Sequence, residues 1–267
     1  MVDVYGSSKR GPPSPEGESG PPGKKGKDAF ELYKWCPSSM LSMFRENEDC
    51  NFYFNTVDDG IIEKGGKGIG LKDHLGNRNA ICLQNFEKPI QVEDVYALPL
   101  KGALYEIRQV QFGLYPSSID IIALSFKVLP EVNGGYIYSN KSNTRGVIVS
   151  KKSIGIVGIS LQLEYQEDWN TLIIIQYSCI NDKEMECFYV LNGKKGTFTQ
   201  KPYTSESDHN LLIGGKGKKY ANVLLGNFEV YVKMFTSKAE KSYLLPDEII
   251  NLIRRDMEIR LDCPLTE

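Results

Sequence analysis

Hydrophobic residues through the middle of this chain fall into short runs broken by polar turns, a rhythm that suits strands better than helices. Ile119–Val128 (IDIIALSFKV), Gly135–Tyr138 (GYIY), Gly146–Val149 (GVIV) and Leu161–Tyr165 (LQLEY) are β-branched or aromatic in character. So are Leu172–Tyr177 (LIIIQY), Phe188–Leu191 (FYVL), Asn210–Ile213 (NLLI) and Gly226–Met234 (GNFEVYVKM). Asn133-Gly134-Gly135, Asn192-Gly193 and Gly214-Gly215 supply turn chemistry between them. Evenly spaced short strands with such turns predict a mainly β chain, folded as an antiparallel β-sandwich or jelly roll. A helical period emerges only near the end. There Pro246, Asp247 and Glu248 open a first turn that sets Ile249, Ile250, Leu252 and Ile253 on one apolar face, predicting a short C-terminal helix. A shorter helix is predicted over Ser38–Asn47.

The start of the chain has a different pattern. Gly11, Gly17, Gly20, Gly23 and Gly26 recur in steps of three or six with Pro12, Pro13, Pro21 and Pro22 among them, and Ser14 takes the one triplet position without glycine. Third-position glycine is what the crowded axis of a collagen triple helix demands. Residues 1–27 therefore read as a collagen-like stem, the tail of a longer collagenous stretch, with a disordered Pro/Gly/Lys linker as the alternative. Residues 28–267 have the aromatic and aliphatic content of one folded domain.

Charge and cysteines then narrow the setting. A formal net charge of −2 argues against a nucleic-acid partner. The first ten residues lack the apolar region of a secretory signal, and no apolar run reaches membrane-spanning length. Collagen triplets and six cysteines point the other way, to an extracellular protein whose signal lies upstream: a secreted chain, a fragment, or the ectodomain of a membrane-anchored collagen. Cys36, Cys50, Cys82, Cys179, Cys187 and Cys263 form no CxxC pair, and two histidines are too few for a familiar zinc pattern, so disulfides are expected. Cys36 with Cys50 and Cys179 with Cys187 are favoured because each closes a short loop, leaving Cys82 with Cys263, although other connectivities stay open. Asn140-Lys141-Ser142 is a glycosylation sequon.

Four local patterns carry a family resemblance. Asp168-Trp169-Asn170-Thr171 precedes the strand LIIIQY, and VLNGKKG (Val190–Gly196) forms a strand, Asn-Gly turn and strand. NLLIGGK (Asn210–Lys216) is an apolar strand ending in Ile-Gly-Gly, and LLGNFEVYVKMF (Leu224–Phe235) is a Phe-containing strand before the closing segment LLPDEIINLI. In this order they resemble a laminin G-like domain over about Leu114–Asp256, the sandwich shared with thrombospondin N-terminal-like modules, pentraxins and legume-type lectins. AICLQNFEKPI (Ala80–Ile90) and YALPLKGALYEIRQVQFG (Tyr96–Gly113) would supply first strands of the thrombospondin-like variant. Joined to the stem, the domain resembles modules of fibril-associated collagens. The resemblance implies a lectin-like fold and allows a calcium site, for which no ligands are assigned and no other cofactor is expected.

Catalytic chemistry is sparse. His74 and His209 lie in polar loops, and the GKGIG run has no Gly-Lys-Ser/Thr phosphate cradle. Asp182, Glu184 and Glu186 alternate as glycosidase carboxylates on a strand would, but occupy a short hairpin and lack an aromatic platform, so no enzyme is expected. Lysines cluster instead at three turns: Lys151 and Lys152, Lys194 and Lys195, and Lys216, Lys218 and Lys219. Converging, they would form one patch for a sulfated glycosaminoglycan, against the plainer reading that turn lysines serve solubility. The primary expectation is a non-catalytic matrix or cell-surface interaction module, binding matrix or cell-surface proteins as a homotrimer through its stem. A lectin-like glycan- or heparin-binding protein is the alternative, and a C1q- or TNF-like head a third.

Overall fold

The computed structural model describes residues 52–55, 60–73, 78–93, 95–108, 118–130, 134–141, 145–178, 183–201, 210–234, 247 and 250, all within one unit that spans 37–267. In chain order the strands are β1 (Phe52–Asn55), β2 (Ile61–Lys64), β3 (Lys67–Leu71), β4 (Ala80–Gln84), β5 (Ile90–Val92), β6 (Val95–Pro99) and β7 (Leu104–Ile107). They continue with β8 (Ser118–Val128), β9 (Gly135–Asn140), β10 (Gly146–Val149), β11 (Ser153–Ile156), β12 (Gln162–Glu164) and β13 (Asn170–Ser178). The last are β14 (Met185–Leu191), β15 (Lys194–Gln200), β16 (Leu211–Ile213), β17 (Gly215–Lys216), β18 (Lys219–Tyr220) and β19 (Val223–Met234).

Two sheets result. One has the order β15-β14-β13-β8-β19-β6-β5, with β1 also on β19; the other runs β12-β11-β10-β9-β16-β7-β4-β3-β2, with the small β17–β18 hairpin beside β9. All pairings are antiparallel except the single β18–β9 contact, where Tyr220 meets Tyr136. The expected antiparallel sandwich is therefore the fold, and every run read as a strand in the sequence lies on one.

Its core lies between the sheets. Ile122, Leu124 and Phe126 of β8, Leu172 and Ile174 of β13, and Phe228, Val230 and Val232 of β19 meet Tyr138, Val147, Ile154 and Ile213 of the other sheet. Phe228 stacks at its edge on Tyr138 at 5.6 Å and tilts against Phe52 at 6.3 Å. The intervening residues Ile119, Ile121 and Ala123 are equally enclosed, so β8 is buried on both faces. That explains its near-continuous apolar run, since alternation appears only where one face meets water.

Several expectations are corrected or lie elsewhere. Cys82 and Cys187 are free thiols, which removes the expected Cys82–Cys263 and Cys179–Cys187 bonds. Cys187 is buried in β14, in register with Gln176 and Phe198 of the flanking strands, and its thiol donates to the Met185 carbonyl at 3.7 Å. Burial pushes that thiol up to about 12, where it stays protonated and inert. The Cys82 thiol donates to the Gln84 carbonyl at 3.6 Å. Cys36, Cys50, Cys179 and Cys263, the stem, the Ser38–Asn47 helix, His74 and His209 lie outside the described residues. So does the C-terminal helix, apart from Asp247 and Ile250.

Candidate functional site

At one end of the sandwich the β8–β9 connection, the β10–β11 turn and the β12–β13 segment enclose a cleft of about 820 Å³. Its walls are Lys127 to Pro130, Lys151 and Lys152, and Glu164, Tyr165 and Glu167. This is where loops converge in such folds.

The segment that carries Glu167 and Asp168 is held from three directions. Asn170 opens β13 fully buried; its side-chain nitrogen donates to the Gln166 and Asp168 carbonyls at 2.9 and 2.7 Å, and its side-chain oxygen accepts the Gln166 N–H at 2.9 Å. Asn192, in the β14–β15 turn, donates its amide to that same oxygen at 2.7 Å and accepts the Thr171 N–H at 2.8 Å. Asn192 and Gly193 both have positive φ, 51° and 80°, the left-handed pair that a tight hairpin requires. The Asn-Gly dipeptide thus makes the turn and also aims a side chain at the neighbouring loop.

Trp169 is the second anchor. Its ring lies over Gly226, the extra residue of a bulge where Leu225 pairs with Phe126 and Asn227 with Ser125. A Cβ at Gly226 would come within 2.6 Å of the Ser125 hydroxyl oxygen and 3.3 Å of the indole, so only glycine leaves room for the ring. Below it the Ser125 hydroxyl donates to the Asn227 side chain, Asn227 donates to Glu229 at 2.6 Å and Tyr231 donates to the same buried carboxylate at 2.5 Å.

Third, Lys127 is bound by two acids, Asp168 at 3.2 Å and Glu93 at 3.4 Å. The hydrogen bond from Lys127 is the main cause that holds the Asp168 carboxyl below its ordinary value, helped by the Trp169 N–H; the same bond is the main cause that raises Lys127. Tyr165 donates its hydroxyl to the Ser150 and Lys151 carbonyls at 3.1 and 2.8 Å, which fastens the Lys151–Lys152 turn to the opposite wall. With Lys127 committed to its acids, the cleft offers the exposed ammonium groups of Lys151 and Lys152 and the exposed carboxylates of Glu164 and Glu167. Donors and acceptors thus face a preformed hollow with a tyrosine in its wall.

The three lysine turns expected to converge do not form one patch. Val149 pairs with Gly135, which puts Lys151 and Lys152 at the start of β9, whereas Lys216 donates to the Asn140 and Lys141 carbonyls at the far end, at 3.3 and 2.6 Å. Six residues of strand, roughly 17 Å, separate them. Lys218 and Lys219 share the Lys216 hairpin and are exposed. Lys194 and Lys195 follow the Asn192 turn at the Lys127 end of their sheet, three strands across from β8, and Lys195 pairs with Asp247 at 2.6 Å. The sequon is corrected as well: Asn140 is 3 % exposed and accepts the Arg145 N–H at 3.0 Å, so its amide is turned into the fold where a glycan would need solvent. Of the alternating carboxylates, Asp182 lies outside the described residues and Glu184 and Glu186 are exposed, Glu186 on β14. No metal-ligating group of three appears among the described residues.

Lys127, Glu164, Tyr165 and Glu167 escape a reading of the sequence as neighbours around one cleft because strands far apart in the chain bring them together. The signal nearest to them is the Asp168-Trp169-Asn170-Thr171 pattern, which marks the anchor of the cleft and not its lining.

No family model matches this chain, and no curated protein matches it. Solved structures match it in fold. A botulinum neurotoxin type C structure, concerned with its interaction with two ganglioside molecules, aligns with a TM-score of 0.50 at 13% identity, covering 82% of this chain and 53% of that one. The binding domain of botulinum neurotoxin DC in complex with rat synaptotagmin II aligns at 0.48 and 13%, covering 78% and 52%. Trypanosoma rangeli sialidase in complex with sialic acid aligns at 0.45 and 12%, covering 74% and 33%. The chain spans about half the length of those neurotoxin chains. At 13% identity the likeness to the neurotoxin type C structure is one of fold alone, a jelly-roll-like β-sandwich.

Proposed function

We propose that this chain is a non-catalytic, lectin-like binding module that takes a glycan in the cleft between Lys127–Pro130, Lys151–Lys152 and Glu164–Glu167. The observation that carries this reading is the clasp of Asn170 and Asn192, which fixes one wall of the cleft before any ligand arrives. A sugar presents many hydroxyls that both donate and accept, and it is bound best by polar groups already held in place. Glu164 and Glu167 accept from hydroxyls, Lys151 and Lys152 donate to hydroxyls or to an acidic substituent, and Tyr165 offers its ring edge. Glu164 and Glu167 stand in solvent, without the apolar enclosure that makes a carboxyl a general acid, which favours binding over hydrolysis. The neurotoxin type C neighbour, whose structure concerns gangliosides, is compatible with a cell-surface ligand.

An extracellular setting, with a stem-borne trimer serving adhesion or matrix assembly, belongs to the same proposal and rests on the Gly-X-Y register of residues 11–26. With Cys82 and Cys187 free, the two bonds expected of them no longer support it. The test is an array of neutral, carboxylated and sulfated glycans probed with the full chain and with Lys151→Ala/Lys152→Ala and Glu167→Ala variants of unchanged circular dichroism. Saturable binding to one glycan class that these variants lose is the expected result. Binding that ignores them, or none to any class, overturns the proposal.

A further inference from the structure

A second surface, away from the cleft, combines exposed aliphatic side chains with exposed lysines. The large hydrophobic residues exposed among the described residues are Ile69 at 43 %, Ile81 at 42 %, Leu83 at 48 % and Ile90 at 45 %, and three of the four sit on two adjacent strands. Two bulges mark these strands. On β3, Gly70 pairs with Ile62 and Gly68 with Glu63, which leaves Ile69 as the extra residue of a bulge. On β4, Cys82 pairs with Tyr105 and Gln84 with Leu104, which leaves Leu83 extra in the same way. Ile81 lies between them, paired with Gly70 on one side and Glu106 on the other. A regular ladder would alternate inside and outside along each strand; a bulge inserts one residue and re-aims the side chains beyond it. The β3 bulge turns Ile69 to solvent, where regular alternation from buried Leu71 would have faced it inward, and ordinary alternation along β4 sets Ile81 and Leu83 together on the same open side.

Around this ridge stand Lys64 and Lys67, opposite one another across the β2–β3 turn, and Lys72 just past β3, all exposed and without an ion pair among the described residues. The neighbouring acid Glu63 is neutralised by Lys88 at 2.9 Å, and Asp73 is buried. We propose that this ridge is a docking surface for an anionic lipid bilayer, which Ile69, Ile81 and Leu83 enter while Lys64, Lys67 and Lys72 meet the headgroups. A protein interface would favour aromatic and arginine anchors and exclude lysine; here the exposed hydrophobic set is wholly aliphatic and lysine forms its rim. Shallow aliphatic insertion flanked by lysine is the chemistry of association with an acidic leaflet, and no helix among the described residues is long and apolar enough to cross a membrane.

The test is co-sedimentation of the full chain with vesicles of phosphatidylcholine alone and of phosphatidylcholine mixed with phosphatidylserine. Binding to the mixed vesicles only is expected, weakened about tenfold or more by Ile81→Ser/Leu83→Ser and by Lys64→Glu/Lys67→Glu, and unchanged by Ile90→Ser on β5. The two serine substitutions made singly keep the comparison readable should the double variant melt early. No sedimentation with acidic vesicles, or sedimentation that the serine variants leave intact, overturns the proposal, and equal binding to phosphatidylcholine alone overturns its anionic half.

Discussion

Asn192 donates its side-chain amide to the side-chain oxygen of Asn170 at 2.7 Å, so a hairpin turn and the loop before a central strand, 22 residues apart, are joined by one bond. Since Asn170 also satisfies Gln166 on both its N–H and its carbonyl, removing it orphans several groups together. Asn170→Ala should lose about 2–4 kcal/mol of stability, read as a lower denaturant midpoint, together with any binding in the cleft.

Gly226→Ala tests the seat of Trp169. A methyl 2.6 Å from the Ser125 hydroxyl oxygen must displace that group or the indole, at a cost of about 1–3 kcal/mol. Tryptophan fluorescence should shift to the red as the ring leaves its place, while Gly217→Ala, at a turn with open space around it, should leave the spectrum unchanged.

The Lys127–Asp168 pair gives a signed pH dependence. A depressed carboxyl stabilises the fold in full above its ordinary value of 3.8 and loses that contribution as pH falls through the depressed one; the raised lysine contributes below 10.5 and loses its share as pH rises through its own shifted value. Both groups are near solvent, so the effect is small. An NMR titration of Asp168 should show its midpoint rise in Lys127→Met, and an unmoved midpoint would contradict the pairing.

Thiol chemistry separates the two cysteines. At mildly alkaline pH an alkylating reagent should label Cys82, half-exposed, well before Cys187, which should react only in denaturant. Peptide mapping without reductant should find both alkylated after unfolding; a cross-linked Cys187 peptide would sink the free-thiol assignment.

Phe228→Ala measures the core. The ring is fully buried between Phe52 and Tyr138, one from each sheet, and its loss should cost about 3–5 kcal/mol in thermal or denaturant unfolding.

What the sequence determined by itself is the run of strands from Ile119 to Met234 and the class of fold they build. Short β-branched stretches such as LIIIQY and turns such as Asn192-Gly193 are governed by local sterics and burial, which neighbours in sequence already reveal. Weaker local signals are easily misread: the glycine-rich Lys67–Leu71 is β3, because Phe86 fills the space over Gly68 and the strand pairs with β2 and β4. Only the tertiary structure decided which lysines stand together, that Asn140 faces inward, that Cys82 and Cys187 stay apart from other thiols, and that Ile69 and Leu83 reach solvent. Those outcomes depend on register, where a single bulged residue re-aims its neighbours along the strand, and on pairings between strands more than a hundred residues apart, such as Ser125 with Asn227 and Phe52 with Val230. The cleft is of the same kind: three connections that share no sequence signal meet because the strands they join are neighbours in space.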